Sequence, residues 1–460
     1  MHKAFRMLAL SFLWLAARAL PVLAQQDMPG HAGHDMGQMP AHDRARMTAQ
    51  GAGDSAGGDP ASLFAMDQAS GTSANPASSP MNMIGLRISR WNFMFHGVAF
   101  ISGIQQTGPR GGDKFASMNW FMGSAERRLG RGSIQFRLML SLDPATITDR
   151  RYPELFQTGE TAFGKPIVDG QHPHDFIMES SVQYRRPVGE KTVLSLYAAP
   201  VGDPALGPVA FPHRVSAAEL PQAPLSHHWQ DSTHIANEVV TAGLSRGIFH
   251  FEASGFHGAE PNENRWNIDH GAIDSWAARV WVNPTLNWSG QVSVGRLRHP
   301  EILEPGDVVR STASLTYNRP LSGGYWATSL IWGRNHKTAA QRNTNSYLLE
   351  SVYQFREKNY WTGRVEMVDK DELFEAQPDL RDRLEQIAGS TFRIIPYTLG
   401  YTRDIPLIPG LATGFGANVT LYRVPAAIQR YYGEHPVSVI FFMRVRLAGS
   451  GSMQHASHGS

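Results

Sequence analysis

The stretch Ile134-Gln-Phe-Arg-Leu-Met-Leu-Ser-Leu142 is the part of the sequence that decides the fold class. Successive side chains of an extended strand point to opposite faces. One face of this stretch is therefore wholly apolar, whereas the other carries Gln135, Arg137, Met139 and Ser141. A charged residue in mid-strand, opposite an unbroken apolar face, favours a membrane strand with lipid on one side and a polar interior on the other.

The same alternation recurs along the chain, for example at 309–317 and 437–447. About sixteen such segments follow one another, each close to the ~10 residues that a tilted membrane strand needs. They begin near residues 88, 114, 133, 175, 191, 235, 247, 274, 287, 308, 324, 345, 359, 391, 411 and 436. The pattern predicts an all-β fold, a closed antiparallel transmembrane β-barrel of about 16 strands (range 12–18), over residues 86–448.

The connections between these segments alternate in length, which is the pattern of outer-membrane barrels. Short links are expected at 129–132, 188–190, 246–247, 285–287, 321–324 and 357–359. Long links are expected at 143–174, 200–234, 258–272, 298–307, 337–344, 370–390 and 424–435. Short turns of such barrels face the periplasm, so we expect both termini there and the long loops outside the cell.

Composition excludes several classes of function. The 460 residues include 42 Lys+Arg and 40 Asp+Glu, a net charge of +2 that gives no reason to expect a nucleic-acid partner. The chain has no cysteine, which excludes disulfides, thiolate metal sites, a thiol nucleophile and a lipidated cysteine. Outer-membrane lipid is the expected surrounding, with a monomer favoured and a trimer as the alternative.

The N-terminal region predicts export and a segment of unusual composition. Residues 1–24 have the charged start and apolar core of a signal peptide. Residues 25–85 are predicted to be a disordered periplasmic segment and linker, and 449–460 a flexible tail with histidines. The candidate metal donors of the segment are Met28, His31, His34, Met36, Met39, His42 and Met47. Thioethers suit Cu(I) and imidazoles suit Cu(II), Zn or Ni, so copper comes first and no organic cofactor is expected. A solvated low-complexity tail is the alternative.

Histidines cluster at the predicted long-loop ends of the strands, most densely in Pro224-Leu-Ser-His-His-Trp-Gln-Asp-Ser-Thr-His234. The candidate metal ligands there are His172, His174, Asp175, His227, His228, Asp231, His234, His257 and His270. Imidazoles with a carboxylate make an ordinary divalent metal site. The alternative is that hydrogen-bonded histidines simply hold the loops to the barrel.

Charged residues also fall at inward positions of the predicted strands. They include Arg137, Glu179, Arg185, Arg279, Arg310, Arg364 and Arg444. A barrel of about sixteen strands is wide enough for an aqueous channel, which such residues would line. They would close it instead if they paired across the lumen, and the sequence leaves both possibilities open.

A catalytic site is the third interpretation of the histidine motif. Ser226, Ser232, Asp231 and His234 supply the residue types of a nucleophile, a base and an orienting acid. The glycine-flanked serine turn of many hydrolases does not occur in this motif. A non-enzymatic function is therefore preferred to a hydrolase at the rim.

Several motifs carry a resemblance to known proteins. A group of uncharacterised bacterial outer-membrane proteins associated with metal resistance is similar at five motifs, namely Gln171-His-Pro-His-Asp175, Phe211-Pro-His-Arg214, Ala223-Pro-Leu-Ser-His-His-Trp229, Asp231-Ser-Thr-His-Ile235 and Phe256-His-Gly-Ala-Glu-Pro261. The Met/His-rich segment resembles that of the copper resistance protein B family. These resemblances imply a membrane location and metal handling as a theme, and no known reaction. We expect an outer-membrane barrel that handles transition-metal ions by binding or passage, with periplasmic metal-handling proteins among the expected partners. A general porin without a metal role is the main alternative.

Overall fold

The computed structural model describes residues 69–302 and 305–447. Its strands are β1 Ile84–Ile88, β2 Trp91–Gln106, β3 Lys114–Leu129, β4 Gly132–Leu140, β5 Tyr152–Ala162, β6 Lys165–Gln171, β7 Ile177–Val188, β8 Thr192–Gly202, β9 Ala236–Arg246, β10 Phe249–His257, β11 Ser275–Thr285, β12 Trp288–Leu297, β13 Val308–Leu321, β14 Gly324–Lys337, β15 Arg342–Phe355, β16 Asn359–Lys370, β17 Phe392–Asp404, β18 Leu411–Arg423 and β19 Val437–Leu447. Its α-helices are α1 Asp143–Thr146, α2 His227–Gln230, α3 Pro378–Ala388 and α4 Gln429–Tyr432. The predicted signal peptide, most of the Met/His-rich segment and the C-terminal tail lie outside the described residues.

Strands β2–β4 and β7–β19 form a closed antiparallel barrel of 16 strands within the described ranges. Closure occurs where β19 pairs with β2, for example Ile440 with Ile104. The short strand β1 adds a hairpin to the start of β2, with Ile84 opposite Phe95. The predicted fold class and strand number are confirmed.

The wall has the two faces that the alternation predicts. In β4, Phe136 and Leu138 are 46% and 45% exposed, whereas Arg137 and Met139 are 6% and 0% exposed. Apolar side chains thus cover the outside and mostly polar ones the inside, as in a barrel that faces lipid. None of the helices in the described part of the chain is long and apolar enough to cross a bilayer.

The two ends of the barrel differ, and we name them the short-turn end and the long-loop end. Turns at 130–131, 189–191, 247–248, 286–287, 322–323 and 356–358 lie at the first. Loops at 141–176, 203–235, 258–274, 298–307, 371–391 and 424–436 lie at the second. The predicted long link 337–344 is wrong, because Lys337 pairs with Arg342 and leaves only a turn at 338–341.

The first long loop contains structure that the sequence did not predict. Strands β5 and β6 form a hairpin with irregular register inside the predicted link 143–174. The ring of Phe156 stacks on Tyr432 at 4.2 Å between centroids, and Lys370 Nζ donates to Gln157 Oε1 at 2.8 Å. These partners belong to β16 and to the link between β18 and β19, so the hairpin reaches across the long-loop end.

Residues 203–235, which we call the inner loop, fold into the barrel. Arg214 Nε donates to Glu350 Oε1 of β15 at 2.5 Å, and Ser226 Oγ donates to Glu366 Oε2 of β16 at 2.7 Å. Most of the loop is buried. Its polar groups therefore exchange water for partners on the wall, which is the condition for burying them.

Residues 69–76, which we call the inner segment, also lie inside the barrel. Arg137 donates to the carbonyl oxygen of Gly71 at 2.8 Å, and Ser70 Oγ donates to Asp203 at 2.8 Å. Gly71 has φ +54° and packs directly on Asp203, which excludes a side chain there. This segment belongs to the stretch that the composition assigned to a disordered linker, and its burial comes from contacts remote in sequence.

Candidate metal centre

The histidine motif of the inner loop lies inside the long-loop end of the barrel. Helix α2 carries His227 and His228, and the 3-10 helix Ser232–His234 follows it directly. All three histidines are at most 5% exposed. Trp229 Nε1 donates to Thr344 Oγ1 at 2.8 Å and fixes the helix against β15. The predicted histidines at 227, 228 and 234 are therefore brought together in the interior.

Asp231 fixes the local geometry of the motif. Its Oδ1 is 2.7 Å from Nδ1 of His227, and its Oδ2 accepts bonds from Arg214 at 3.1 Å and from the Phe211 N–H at 2.8 Å. Although burial opposes ionisation, His227 and Arg214 hold the pKa of Asp231 at about 2. Both carboxylate oxygens of Asp231 contact these partners. Asp231 therefore orients His227 instead of offering a free ligand atom.

The side chains around His228 have a geometry that could hold a metal ion. Neither ring nitrogen of this buried side chain has a hydrogen-bonding partner among the described residues. Glu260 and Glu301 each bring a carboxylate oxygen so that one atom from each of the three residues lies within 4.8 Å of the others. The Oε1 atom of Glu301 is 3.7 Å from His228 Nδ1, too far for a hydrogen bond. We call these three residues the mouth site.

The protonation of the mouth site follows from its burial. Burial, with the neighbouring Glu301, raises the pKa of Glu260 to about 8. Burial, with Glu372, raises the pKa of Glu301 to about 8. Burial, with His172, lowers the pKa of His228 well below its usual range. Both carboxyls thus ionise less readily than exposed ones, and a bound divalent ion would displace protons from them.

The β5–β6 hairpin covers the mouth site. A Cβ at Gly159 would overlap the His228 ring, and Gly159 has φ +121°, so glycine is required twice over. His172 Nε2 lies 3.0 Å from Glu160 Oε1, and its ring is 6.0 Å from that of His228. The predicted ligand His172 is therefore a neighbour of the site, held by a carboxylate.

A cavity of about 170 Å³ adjoins the mouth site at the long-loop end. Its lining includes Gly159, Glu160, Glu301, Asp371 and Glu372, together with Lys337. Lys337 Nζ is 2.6 Å from Glu372 and 2.9 Å from Asp371. Arg342 and Arg381 also line this cavity, so the acidic side chains near Glu301 are partly neutralised by basic ones.

His174 and Asp175 of the upstream motif have different surroundings. His174 Nδ1 is 2.8 Å from Asp143 Oδ2, and its ring lies 5.6 Å from that of His234. Asp175 is 3.5 Å from Arg265, and burial raises its pKa well above the usual range. His174 thus joins the interior histidines, whereas Asp175 faces an arginine.

His257 and His270 lie apart from the other predicted ligands. The Nδ1 atom of His257 is 2.9 Å from the carbonyl oxygen of Ala272. His270 is 71% exposed, and its Nδ1 is 2.7 Å from Glu238. Within residues 69–302 and 305–447, neither ring contacts another histidine ring. Their positions favour loop attachment.

The interior histidines form a row of neighbouring rings. Centroid distances are 6.0 Å for His172–His228, 5.4 Å for His228–His227, 5.3 Å for His227–His234 and 5.6 Å for His234–His174. A further pair, His96 and His213, lies at 6.1 Å. Donors from β2, the first long loop and the inner loop thus converge in one interior.

The charged residues predicted to line a lumen point inward and have partners. Arg137 pairs with Glu179 at 3.1 Å, Arg185 with Glu126 at 2.9 Å, Arg279 with Glu252 at 2.9 Å and Arg364 with Glu350 at 2.9 Å. Arg310 donates to Asn335 and Ser232, and Arg444 pairs with Glu219 and Asp404. Several of these contacts hold the inner loop against the inner wall of the barrel.

The serines of the hydrolase hypothesis have partners other than histidine. Ser226 Oγ donates to Glu366, and Ser232 Oγ accepts a bond from Arg310 at 2.8 Å. His234 directs Nδ1 to the carbonyl oxygen of Asp231 at 2.8 Å. A nucleophile needs its base within hydrogen-bonding reach, and these contacts point both serines elsewhere.

Two candidate ligands of the mouth site, Glu260 and Glu301, were not predicted from the sequence. Both lie in long loops, where a glutamate is ordinarily solvated, and neither is spaced regularly from His228. The only available signal was the position of Glu260 within the quoted motif 256–261. Only folding of the loops shows that these carboxylates face a buried imidazole.

No family model and no curated protein matches the chain. Solved structures similar to it include Salmonella typhi OmpF in complex with daunomycin, at 9% identity and TM-score 0.47, covering 79% of this chain and 100% of that one. An anion-selective porin from Comamonas acidovorans matches at 11% identity and TM-score 0.47, covering 78% and 100%. Pseudomonas putida OprB matches at 11% identity and TM-score 0.48, covering 78% and 94%. Likeness at this level carries no argument about function.

Proposed function

We propose that the protein is an outer-membrane β-barrel of a Gram-negative bacterium that holds a divalent transition-metal ion at the mouth site. Copper is the first candidate, with zinc and nickel as alternatives. The observation that supports the proposal is the buried His228, whose two ring nitrogens have no hydrogen-bonding partner among the described residues. Glu260 and Glu301 supply two carboxylates beside it.

The physical argument is that such a cluster is unfavourable unless something binds to it. A buried polar group without a hydrogen bond costs about 1–3 kcal/mol, and the mouth site assembles three titratable groups whose ligand atoms lie within 4.8 Å. A divalent cation would satisfy the imidazole and ionise the carboxyls at once. His172, paired with Glu160, and His227, paired with Asp231, would surround the ligands.

The proposal includes an orientation. The long-loop end, with the mouth site, faces the outside of the cell, and the short-turn end faces the periplasm. The Met/His-rich segment would then present its donors on the periplasmic side, where metal-handling proteins could exchange ions with it. A protease added to intact cells should cut a tag inserted in the loop 258–274. A tag that stays intact would contradict this orientation.

The test of metal binding uses the full chain with its tail donors replaced, which we call the tail-silenced chain. The changes are Met28, Met36, Met39, Met47 and Met453 to Leu, and His31, His34, His42, His455 and His458 to Gln. Cu(II), Zn(II) and Ni(II) are titrated separately into the refolded protein in detergent. The variant is Glu260→Gln with Glu301→Gln, and the matched control is Glu190→Gln with Glu357→Gln, two exposed glutamates at the short-turn end.

We expect the tail-silenced chain to bind one of these ions and the mouth-site variant to lose at least about 100-fold in affinity. The expectation follows because changes in residues that merely support ligands already cost 10–100-fold. The control should bind like its parent. Equal binding by the variant and the control, or no binding by the tail-silenced chain, contradicts the proposal.

A further inference from the structure

A second group of side chains that could bind metal lies on the inner wall of the barrel and shares no residue with the mouth site. His96 of β2 pairs in register with Met122 of β3, and Met122 pairs in register with Met139 of β4. Paired residues of adjacent strands lie on the same face of a sheet. The three side chains therefore form one row along the inner wall, where Met122 and Met139 are 3% and 0% exposed.

The inner loop brings a fourth donor to this row. His213 Nε2 lies 3.0 Å from the Sδ atom of Met139, and His96 Nε2 lies 3.1 Å from Sδ of Met122. The two imidazole rings are 6.1 Å apart. Each histidine thus directs a ring nitrogen at a thioether, and the two histidine–methionine pairs lie side by side.

The surroundings of these donors are apolar and aromatic. The ring of Trp120 lies 4.2 Å from that of His213 and 5.0 Å from that of His96. Met122 and Met139 belong to an apolar cluster with Met178, Val201 and Ile235. The Nδ1 atom of His213 is buried without a hydrogen-bonding partner in the described part of the chain. A hard ion such as Mg²⁺ would find no oxygen ligand among these four side chains.

We infer that His96, Met122, Met139 and His213 form a binding site for a soft monovalent metal ion of the Cu(I) class. Thioethers bind Cu(I) in preference to hard or borderline ions, and neutral imidazole completes such sites. The nearby cation Arg137 does not oppose binding strongly, because Glu179 neutralises it at 3.1 Å. We call these four residues the thioether site, which shares no ligand with the mouth site and stands or falls separately from it.

The test measures Cu(I) affinity of the tail-silenced full chain by competition with the chelator bathocuproine disulfonate under anaerobic conditions. The variant is Met122→Leu with Met139→Leu, which conserves volume and apolar character, so the barrel should still fold. The matched control is Met118→Leu with Met178→Leu, two buried methionines of the same wall region. X-ray absorption at the copper edge reports sulfur and nitrogen neighbours directly.

We expect one Cu(I) bound with both sulfur and nitrogen scatterers, a loss of about 100-fold or more in the Met122/Met139 variant, and no change in the control. Titration with Ag(I), a redox-stable ion with similar ligand preference, should give the same order of affinities among the parent, the variant and the control. The inference is overturned if the parent chain binds no Cu(I), if the variant binds like its parent, or if the control loses affinity equally.

A second variant separates ligation from packing. His96→Gln with His213→Gln should remove the nitrogen scatterers while leaving the thioethers in place. If sulfur and nitrogen shells both persist in this variant, the ion is bound elsewhere and the assignment is wrong. Loss of divalent binding at the mouth site has no bearing on this result, so the two proposals fail distinguishably.

Discussion

The mouth site and the thioether site differ in donor chemistry although the inner loop supplies a histidine to each. At the mouth site His228 meets Glu260 and Glu301, which come from other long loops. At the thioether site His213 meets Met139, which comes from the barrel wall. Loops bring charged oxygen donors, and the wall near β3 and β4 brings thioethers. If both proposed sites bind metal, the partners of this one loop would set the preference for two classes of ion.

The largest effect is expected where the two sites share their support. Asp231→Asn removes the carboxylate that binds His227 and Arg214, and breaking such a buried pair costs about 3–5 kcal/mol. The inner loop should loosen, both sites should weaken, and trypsin should cut the folded barrel at Arg214. Limited proteolysis followed by mass spectrometry measures this.

The control for this prediction is Asp307→Asn. Its partner Arg296 has a side chain that is 58% exposed, and pairs of this kind contribute about 0–1 kcal/mol. The control should resist trypsin like the parent chain. An Asp231→Asn barrel that stays equally resistant would show that other contacts hold the inner loop.

The next largest effect is expected in the pH dependence of metal affinity, which should differ between the two sites. Glu260 and Glu301 each have a pKa of about 8, so they are protonated below that pH and must lose protons when a divalent ion binds. Affinity at the mouth site should rise with pH from 6 to 8, by up to about 100-fold per unit if both protons leave. Burial keeps the pKa of His213 well below its usual range, so Cu(I) affinity should change little. Parallel pH profiles for the two ions would contradict the distinction.

A smaller effect is expected from Gly159→Ala. The added Cβ would overlap the His228 ring, and displacing a ligand should weaken divalent binding about 10-fold while leaving Cu(I) binding unchanged. Gly164→Ala is the matched control, since Gly164 also has positive φ, at +71°, but faces open space. Isothermal titration calorimetry measures the divalent-ion affinity of both variants. Equal losses of affinity would indicate that backbone strain alone is responsible.

The smallest effect is expected at the histidines outside the interior row. His270 is 71% exposed and lies beside Glu238, so His270→Ala should change neither divalent nor Cu(I) affinity by more than about twofold. The same titrations measure this. A clear loss of affinity would place a metal ligand on the loop surface and break the assignment of the sites to the interior.

The barrel wall was predictable because its signal is local. The predicted strand starts at 308, 324, 359 and 411 coincide with those of β13, β14, β16 and β18. Each strand has one face toward lipid and one toward the polar interior, so apolar and polar residues must alternate in every segment. The hairpin β5–β6 lacks this requirement, since neither of its faces meets lipid, and it went unpredicted.

The candidate sites were predictable only in part. The motif 224–234 identified His227, His228 and His234 as neighbours, because short spacing forces them together. It did not identify Glu260 or Glu301, and the inward-facing Met139 was visible only as an apolar residue on the polar face of β4. Ligands from separate loops and strands meet through contacts that no spacing rule encodes.

The sequence by itself determined a closed barrel with an apolar exterior, its strand number and the histidine-rich long-loop end, because each depends on residues close in the chain. Only the tertiary structure decided that the inner loop turns into the lumen. The pairing of Arg214 with Glu350 and of Glu219 with Arg444 holds it there. No periodicity in the sequence predicts such long-range charge pairs. They nevertheless place His213 beside a thioether and His228 beside two carboxylates.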